Sequence, residues 1–260
     1  MKIAVSGKGG VGKTTLASAL ARVYARRGAR VLAVDADPAS SLASALGVSP
    51  EDAARIRPIA EMRDLIEERT GARPGTYGGF FSLNPEVEDL PDRFGVDVDG
   101  VRLLVTGGLK DAAAGCYCPE NELLKVLLLH IFTERDEVVI LDMEAGIEHL
   151  TRGTTAAVDA MLVVVEPGQR SLRIAAMIER LAGQLGIGHV YFVANKVGDG
   201  EEEALIRRAL GDRPLLGVLR ANPAVARADL LGQAVEQAAP GLVAEVEGIV
   251  ARLEDAVARR

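Results

Sequence analysis

The segment Gly7-Lys8-Gly9-Gly10-Val11-Gly12-Lys13-Thr14 packs glycine densely between an apolar run and a helical pattern. Ahead of it, residues 3–6 are short and apolar and read as a buried strand. Behind it, Leu16, Ala17, Leu20, Ala21, Val23 and Tyr24 recur at helical spacing, and Gly28 supplies a stop. The same alternation continues along the chain. Strands are predicted over 30–34, 101–105, 137–141, 160–165, 190–194 and 215–219. Helices are predicted over 42–46, 61–69, 120–132, 172–185, 201–210 and 245–257. Most of the strand runs are continuously apolar rather than alternating, which is the pattern of a parallel sheet covered on both faces. The expected fold class is α/β: one domain, a mostly parallel sheet and helices on both sides. In such a fold, functional side chains gather at the carboxyl ends of the strands.

The 260 residues suit one sizeable domain, taken as 1–260, and a hydrophobic fraction of 48% argues against disorder. Residues 50–98 are less regular and are read as a lid or insertion, with Phe80-Phe81 expected to be buried. Residues 107–119 form a loop that carries both cysteines. A net charge of −7 argues against a general nucleic-acid binder. No apolar stretch resembles a signal peptide or a membrane span, so a cytoplasmic protein without a membrane partner is expected.

The spacing G-x-x-x-x-G-K-[ST] has a physical reason. Backbone N–H groups must curl around phosphate oxygens with no side chain in the way. Gly9, Gly10, Val11, Gly12 and Lys13 supply that cradle, and Lys13 reaches the β- and γ-phosphates. Thr14 places a hydroxyl on Mg²⁺, with Thr15 following in the helix whose positive end faces the anion. A nucleoside triphosphate, most simply ATP, is the implied ligand. Lys8 is additional to this pattern. The string from Lys8 to Thr14 resembles the deviant Walker A motif of the MinD/ParA/nitrogenase iron-protein superfamily. That resemblance implies a homodimer in which Lys8 crosses to the partner's nucleotide.

Asp35 and Asp37 end the second strand, and Asp142 ends the strand over 137–141. Taken singly, each is also an ordinary turn residue after a strand. By the resemblance, Asp37 orients the attacking water and Asp35 lies near the Mg²⁺ shell. Asp142 binds Mg²⁺ through water, and Gly146 senses the γ-phosphate. The run Asp142-Met143-Glu144-Ala145-Gly146 lacks the proline that many relatives carry before Ala-Gly. Asn195-Lys196 resembles the superfamily's adenine-recognition asparagine; a turn-forming role is the alternative for Asn195.

Cys116 and Cys118 form a soft ligand pair suited to Zn²⁺, Ni²⁺ or Cu⁺. One chain offers two thiolates, whereas a closed tetrahedral site takes four ligands, which a two-fold dimer would supply. A disulfide at this spacing is strained. Of the histidines, His149 is a candidate for extra ligation, while His130 and His189 read as structural. The segment Gly115-Cys116-Tyr117-Cys118-Pro119-Glu120, followed by Asp142 to Gly146, is similar to the CooC-type nickel-insertion ATPases that mature carbon monoxide dehydrogenase. This resemblance implies ATP and Mg²⁺ as cofactors, Ni²⁺ or Zn²⁺ held between two subunits, and an apo carbon monoxide dehydrogenase as partner. Maturation factors of acetyl-CoA synthase are near relatives. An iron–sulfur reductase is disfavoured because the cysteines are two residues apart rather than far apart in sequence. A MinD- or ParA-like positioning role is disfavoured because the terminal helix is acidic on its polar face, with Glu245, Glu247, Glu254 and Asp255.

Overall fold

A computed structural model of the chain describes residues 1–74, 80–108, 118–144, 154 and 156–259. The strands are β1 (Lys2–Gly7), β2 (Val31–Asp35), β3 (Val96–Val98), β4 (Val101–Val105), β5 (Val138–Asp142), β6 (Ala160–Val165), β7 (Val190–Val197) and β8 (Leu215–Arg220). They form one eight-stranded sheet in the order β3-β4-β2-β5-β1-β6-β7-β8. Every neighbouring pair is parallel except β3 with β4. Strands β1, β2 and β6 are buried along their whole length, which is why they carry unbroken apolar runs.

The pleat sends alternate residues to two cores. Ile3 and Val5 pack on one face with Leu16, Leu20 and Val23 of helix Lys13–Arg26 and Leu242, Val246, Ile249 and Leu253 of helix Pro240–Ala258. Ala4 and Leu141 face the other side, with Leu123, Leu127 and Ile131 of helix Pro119–Thr133 and Ile178 of helix Gln169–Leu185. Burying one such side chain contributes roughly 1.5–3 kcal/mol. The apolar stripe of the terminal helix is therefore accounted for by the domain itself. Among the described residues, no helix is long and apolar enough to cross a membrane.

Several elements differ from the sequence reading. Strand β3 was not anticipated: Val96-Asp97-Val98 is short and largely exposed, and it pairs at the sheet edge through the turn at Asp99-Gly100. Helix Pro223–Leu231 was also missed, although Asn222 caps it by accepting from Ala224 N and Pro223 opens it. Proline likewise opens helix Pro240–Ala258 earlier than the apolar periodicity suggested. Phe80, expected from the sequence to be buried, is fully exposed, and Phe81 is half-buried. The adjoining core is filled instead by Ile59, Leu65, Ile66, Val87 and Leu90, which place much of the 50–98 segment against helix Pro119–Thr133.

Candidate functional site

Loop geometry follows from its glycines. Gly10 and Gly12 hold φ of 79° and 93°, in the left-handed region. A Cβ at Gly12 would lie 2.1 Å from Asn195 Nδ2, and one at Gly7 would lie 2.6 Å from the Val164 carbonyl oxygen. Gly12 caps helix Lys13–Arg26 without any side-chain hydrogen bond, so the first-turn N–H groups face the loop. That is an anion site, and Lys13 stands in it only 7% exposed. Thr15 follows in the same first turn, and its carbonyl accepts from Ser18 Oγ.

Strands β2 and β5 bring two carboxylates side by side, with Asp35 in register with Asp142. Both are buried. Asp35 organises the next segment, accepting from Asp37 N at 3.1 Å, Ser40 Oγ at 2.7 Å and Leu42 N at 2.9 Å. Burial raises its pKa, and those hydrogen bonds oppose the rise. Asp37 is half-buried and accepts from Ala39 N at 2.8 Å, which turns the chain at Pro38. Thr14 Oγ1 donates to Asp142 Oδ2 at 2.6 Å and lies 3.2 Å from Ser41 Oγ.

Asp142 Oδ1 is buried without a hydrogen-bond partner among the described residues. A buried carboxylate oxygen in that state suits a hydrated cation, and the Thr14 hydroxyl beside it completes a hard oxygen set for Mg²⁺. When bound, Mg²⁺ would neutralise charge developing on the β- and γ-phosphates. Burial pushes the Asp142 pKa up to about 7; the Asp35 charge adds to this, while Thr14 and Lys13 oppose it. Below that value the carboxyl is protonated and a poor cation ligand. Mg²⁺-dependent nucleotide affinity should thus weaken as pH falls through 7, by about tenfold per unit well below it. Titrating Asp142→Asn in parallel removes the nucleotide's own ionisation from the comparison. A pH profile identical in the two proteins would disprove the assignment.

At the other side of the loop, Asn195 is buried at the end of β7. Its Nδ2 donates to the Val11 carbonyl at 2.8 Å, and its Oδ1 accepts from Lys196 N at 2.8 Å. This residue braces the phosphate loop directly. Lys8 Nζ lies 3.0 Å from Glu166 Oε1. Neither Glu166 nor Ser41 was singled out from sequence. Glu166 carries the same signal as Asp142, a polar residue directly after an apolar strand, whereas nothing in the pattern marks Ser41.

The segment that opens the cysteine loop leaves the carboxyl end of β4, beside β2. Thr106 follows β4 and donates through N and Oγ1 to the Asp35 carbonyl, at 2.9 and 3.0 Å. A Cβ at Gly108 would lie 2.1 Å from Pro38 Cγ, so the start of the cysteine loop touches the Asp37-Pro38-Ala39 turn. Cys118 is half-buried at the N-cap of helix Pro119–Thr133. Cys116, Gly146 and His149 lie outside the described residues.

A glycine cradle after β1, a buried lysine, and a strand-end aspartate bonded to the loop threonine define a P-loop ATPase. The chain belongs to the CobQ/CobB/MinD/ParA nucleotide binding domain family, which matches residues 2–235, and within it is of the CooC type. It is 45% identical over 257 residues to the carbon monoxide dehydrogenase accessory protein CooC of Rhodospirillum rubrum, covering 99% of this chain and 97% of that protein. It is 46% identical over 238 residues to an uncharacterized ATP-binding protein of Methanocaldococcus jannaschii, covering 90% and 91%. The MinD cell division protein of Aquifex aeolicus has the same fold, with a TM-score of 0.69 at 20% identity over 97% of this chain and 96% of that one.

Proposed function

We propose that this ATPase is a metallochaperone that assists nickel insertion into carbon monoxide dehydrogenase. Two chains hold Ni²⁺, or Zn²⁺ in its place, through Cys116 and Cys118 of each. ATP bound at the phosphate loop sets the dimer, with Lys8 reaching the partner's nucleotide. A cytoplasmic location belongs to the same reading. The observation that carries the reading is the contact between Gly108 and Pro38. The turn bearing Asp37 rests on Gly108 at the root of the cysteine loop, so a change at the γ-phosphate is felt where that loop begins. Near-complete coverage of a carbon monoxide dehydrogenase accessory protein supports the choice of client.

In this mechanism the loop N–H groups and Lys13 bind the phosphates, and Thr14 and Asp142 would hold Mg²⁺. Asp37 accepts a hydrogen bond from the water aligned for in-line attack on the γ-phosphate. Substituting Asp37→Asn should slow hydrolysis by about 100-fold and let an ATP-bound dimer accumulate. Phosphate release and size-exclusion chromatography read the two effects; hydrolysis at the normal rate would remove Asp37 from the mechanism. The whole proposal is tested by metal stoichiometry and oligomeric state, with and without ATP, under reducing anaerobic conditions. One metal ion per ATP-dependent dimer is expected. A metal-free dimer, or metal bound equally by single chains, would refute it.

A further inference from the structure

Glu166 stands directly after β6, whose Val164 is in register with Gly7 of β1, so its carboxylate emerges beside the phosphate loop. Its backbone is anchored, since Glu166 N donates to the buried Ser171 Oγ at 3.0 Å. The two carboxylate oxygens face two different lysines. Oε1 is 3.0 Å from Lys8 Nζ, and Oε2 is 3.6 Å from Lys196 Nζ. Lys196 also donates to the Gly10 carbonyl, and its φ of 58° is a left-handed conformation that non-glycine residues seldom adopt. Lys8, Glu166, Lys196 and Gly10 thus close a ring around the exposed tip of the loop. Lys196 keeps a second acceptor in that ring. Lys8 has Glu166 as its acceptor among the described residues.

We propose that Glu166 is a latch that holds Lys8 on its own chain and opposes dimer formation until a partner's triphosphate replaces it. The inference rests on the reading that Lys8 acts across the dimer. A lysine engaged by a carboxylate of its own subunit must leave it before reaching a second nucleotide. The triphosphate wins because it presents more negative charge than one carboxylate. The Lys8 and Glu166 side chains are 32% and 22% exposed, so solvent screens the pair and the latch is weak. A weak latch tunes the dimerisation midpoint without blocking it.

The test measures ATP-dependent dimerisation against protein concentration, by sedimentation, for the full-length wild type, Glu166→Gln, Lys8→Ala and Lys196→Met, with single-chain ATP affinity measured separately. Glu166→Gln preserves side-chain shape and is expected to lower the half-maximal concentration by about three- to fivefold, the range of a partly exposed ion pair, with ATP affinity unchanged. Lys196→Met should shift it less. An unchanged or raised midpoint in Glu166→Gln overturns the latch. So does an equal shift in Lys196→Met, because the effect would then run through Lys196. If Lys8→Ala dimerises with ATP like the wild type, the trans role of Lys8 falls and the latch falls with it. If Lys8→Ala fails to dimerise while Glu166→Gln leaves the midpoint in place, the latch alone is refuted.

Discussion

Lys13→Ala should bind ATP about 10²–10³-fold more weakly than the wild type, measured by calorimetric titration. Lys13 sits 7% exposed at the start of helix Lys13–Arg26, inside the glycine cradle and close to Asp142. Truncating one partner of a buried charge pair costs about 3–4 kcal/mol, and each 1.4 kcal/mol is tenfold in affinity. The remaining N–H groups bind phosphate but do not neutralise it. The folded chain without nucleotide should tolerate the change. Alanine is the best helix former, and the substitution removes a buried cation rather than a packed apolar group. Thermal melting in the absence of nucleotide should therefore stay within a few degrees of wild type. Retained ATP affinity in a folded Lys13→Ala protein would show that the cradle does not bind the triphosphate.

Cys118→Ser, and equally Cys116→Ser, should abolish tight Ni²⁺ or Zn²⁺ binding while leaving ATP affinity within about twofold. The size of the effect comes from symmetry. One substitution removes two of the four ligands in a two-fold dimer. Structural four-ligand sites contribute about 10–16 kcal/mol, so losing half the ligands corresponds to about 10⁴-fold or more in affinity. ATP binding should survive because the cradle is built from the backbone of residues 7–14, whereas Cys118 is the N-cap of helix Pro119–Thr133. Unchanged metal stoichiometry in either variant would refute the shared site. Loss of ATP binding along with the metal would mean that the two sites are one.

The fold was legible to the degree that its strands are buried on both faces. β1, β2, β5 and β6 announce themselves because a central parallel strand has no solvent side on which to place polar residues. β3 escaped because an exposed edge strand of three residues alternates Val-Asp-Val and resembles a loop. Phe80 misled for a related reason. A phenylalanine pair suggests burial, but burial requires neighbouring space, and Ile66, Val87 and Leu90 already fill it. Among the site residues, the phosphate loop was fully legible because its chemistry is local. Its cradle, lysine and hydroxyl are contiguous in the chain. Asp35, Asp142 and Asn195 could be nominated as strand-end polar residues, but their partners could not. Asp35 holds the turn that carries Asp37, and Asn195 braces Val11 through its side-chain amide.

By itself, the sequence determined a glycine cradle entering a helix, a buried parallel sheet, strand-end carboxylates and a cysteine pair. Each depends on neighbours a few residues away, so each is written in spacing and residue type. Only the tertiary structure decided that Asp142 stands beside Asp35 with one oxygen unpartnered among the described residues, that Lys8 rests on Glu166 across 158 positions, and that Pro38 lies on Gly108. Those juxtapositions depend on strand order and register. Sheet pairing aligns residues by hydrogen bonds between distant segments, and no local pattern encodes which strand lies beside which.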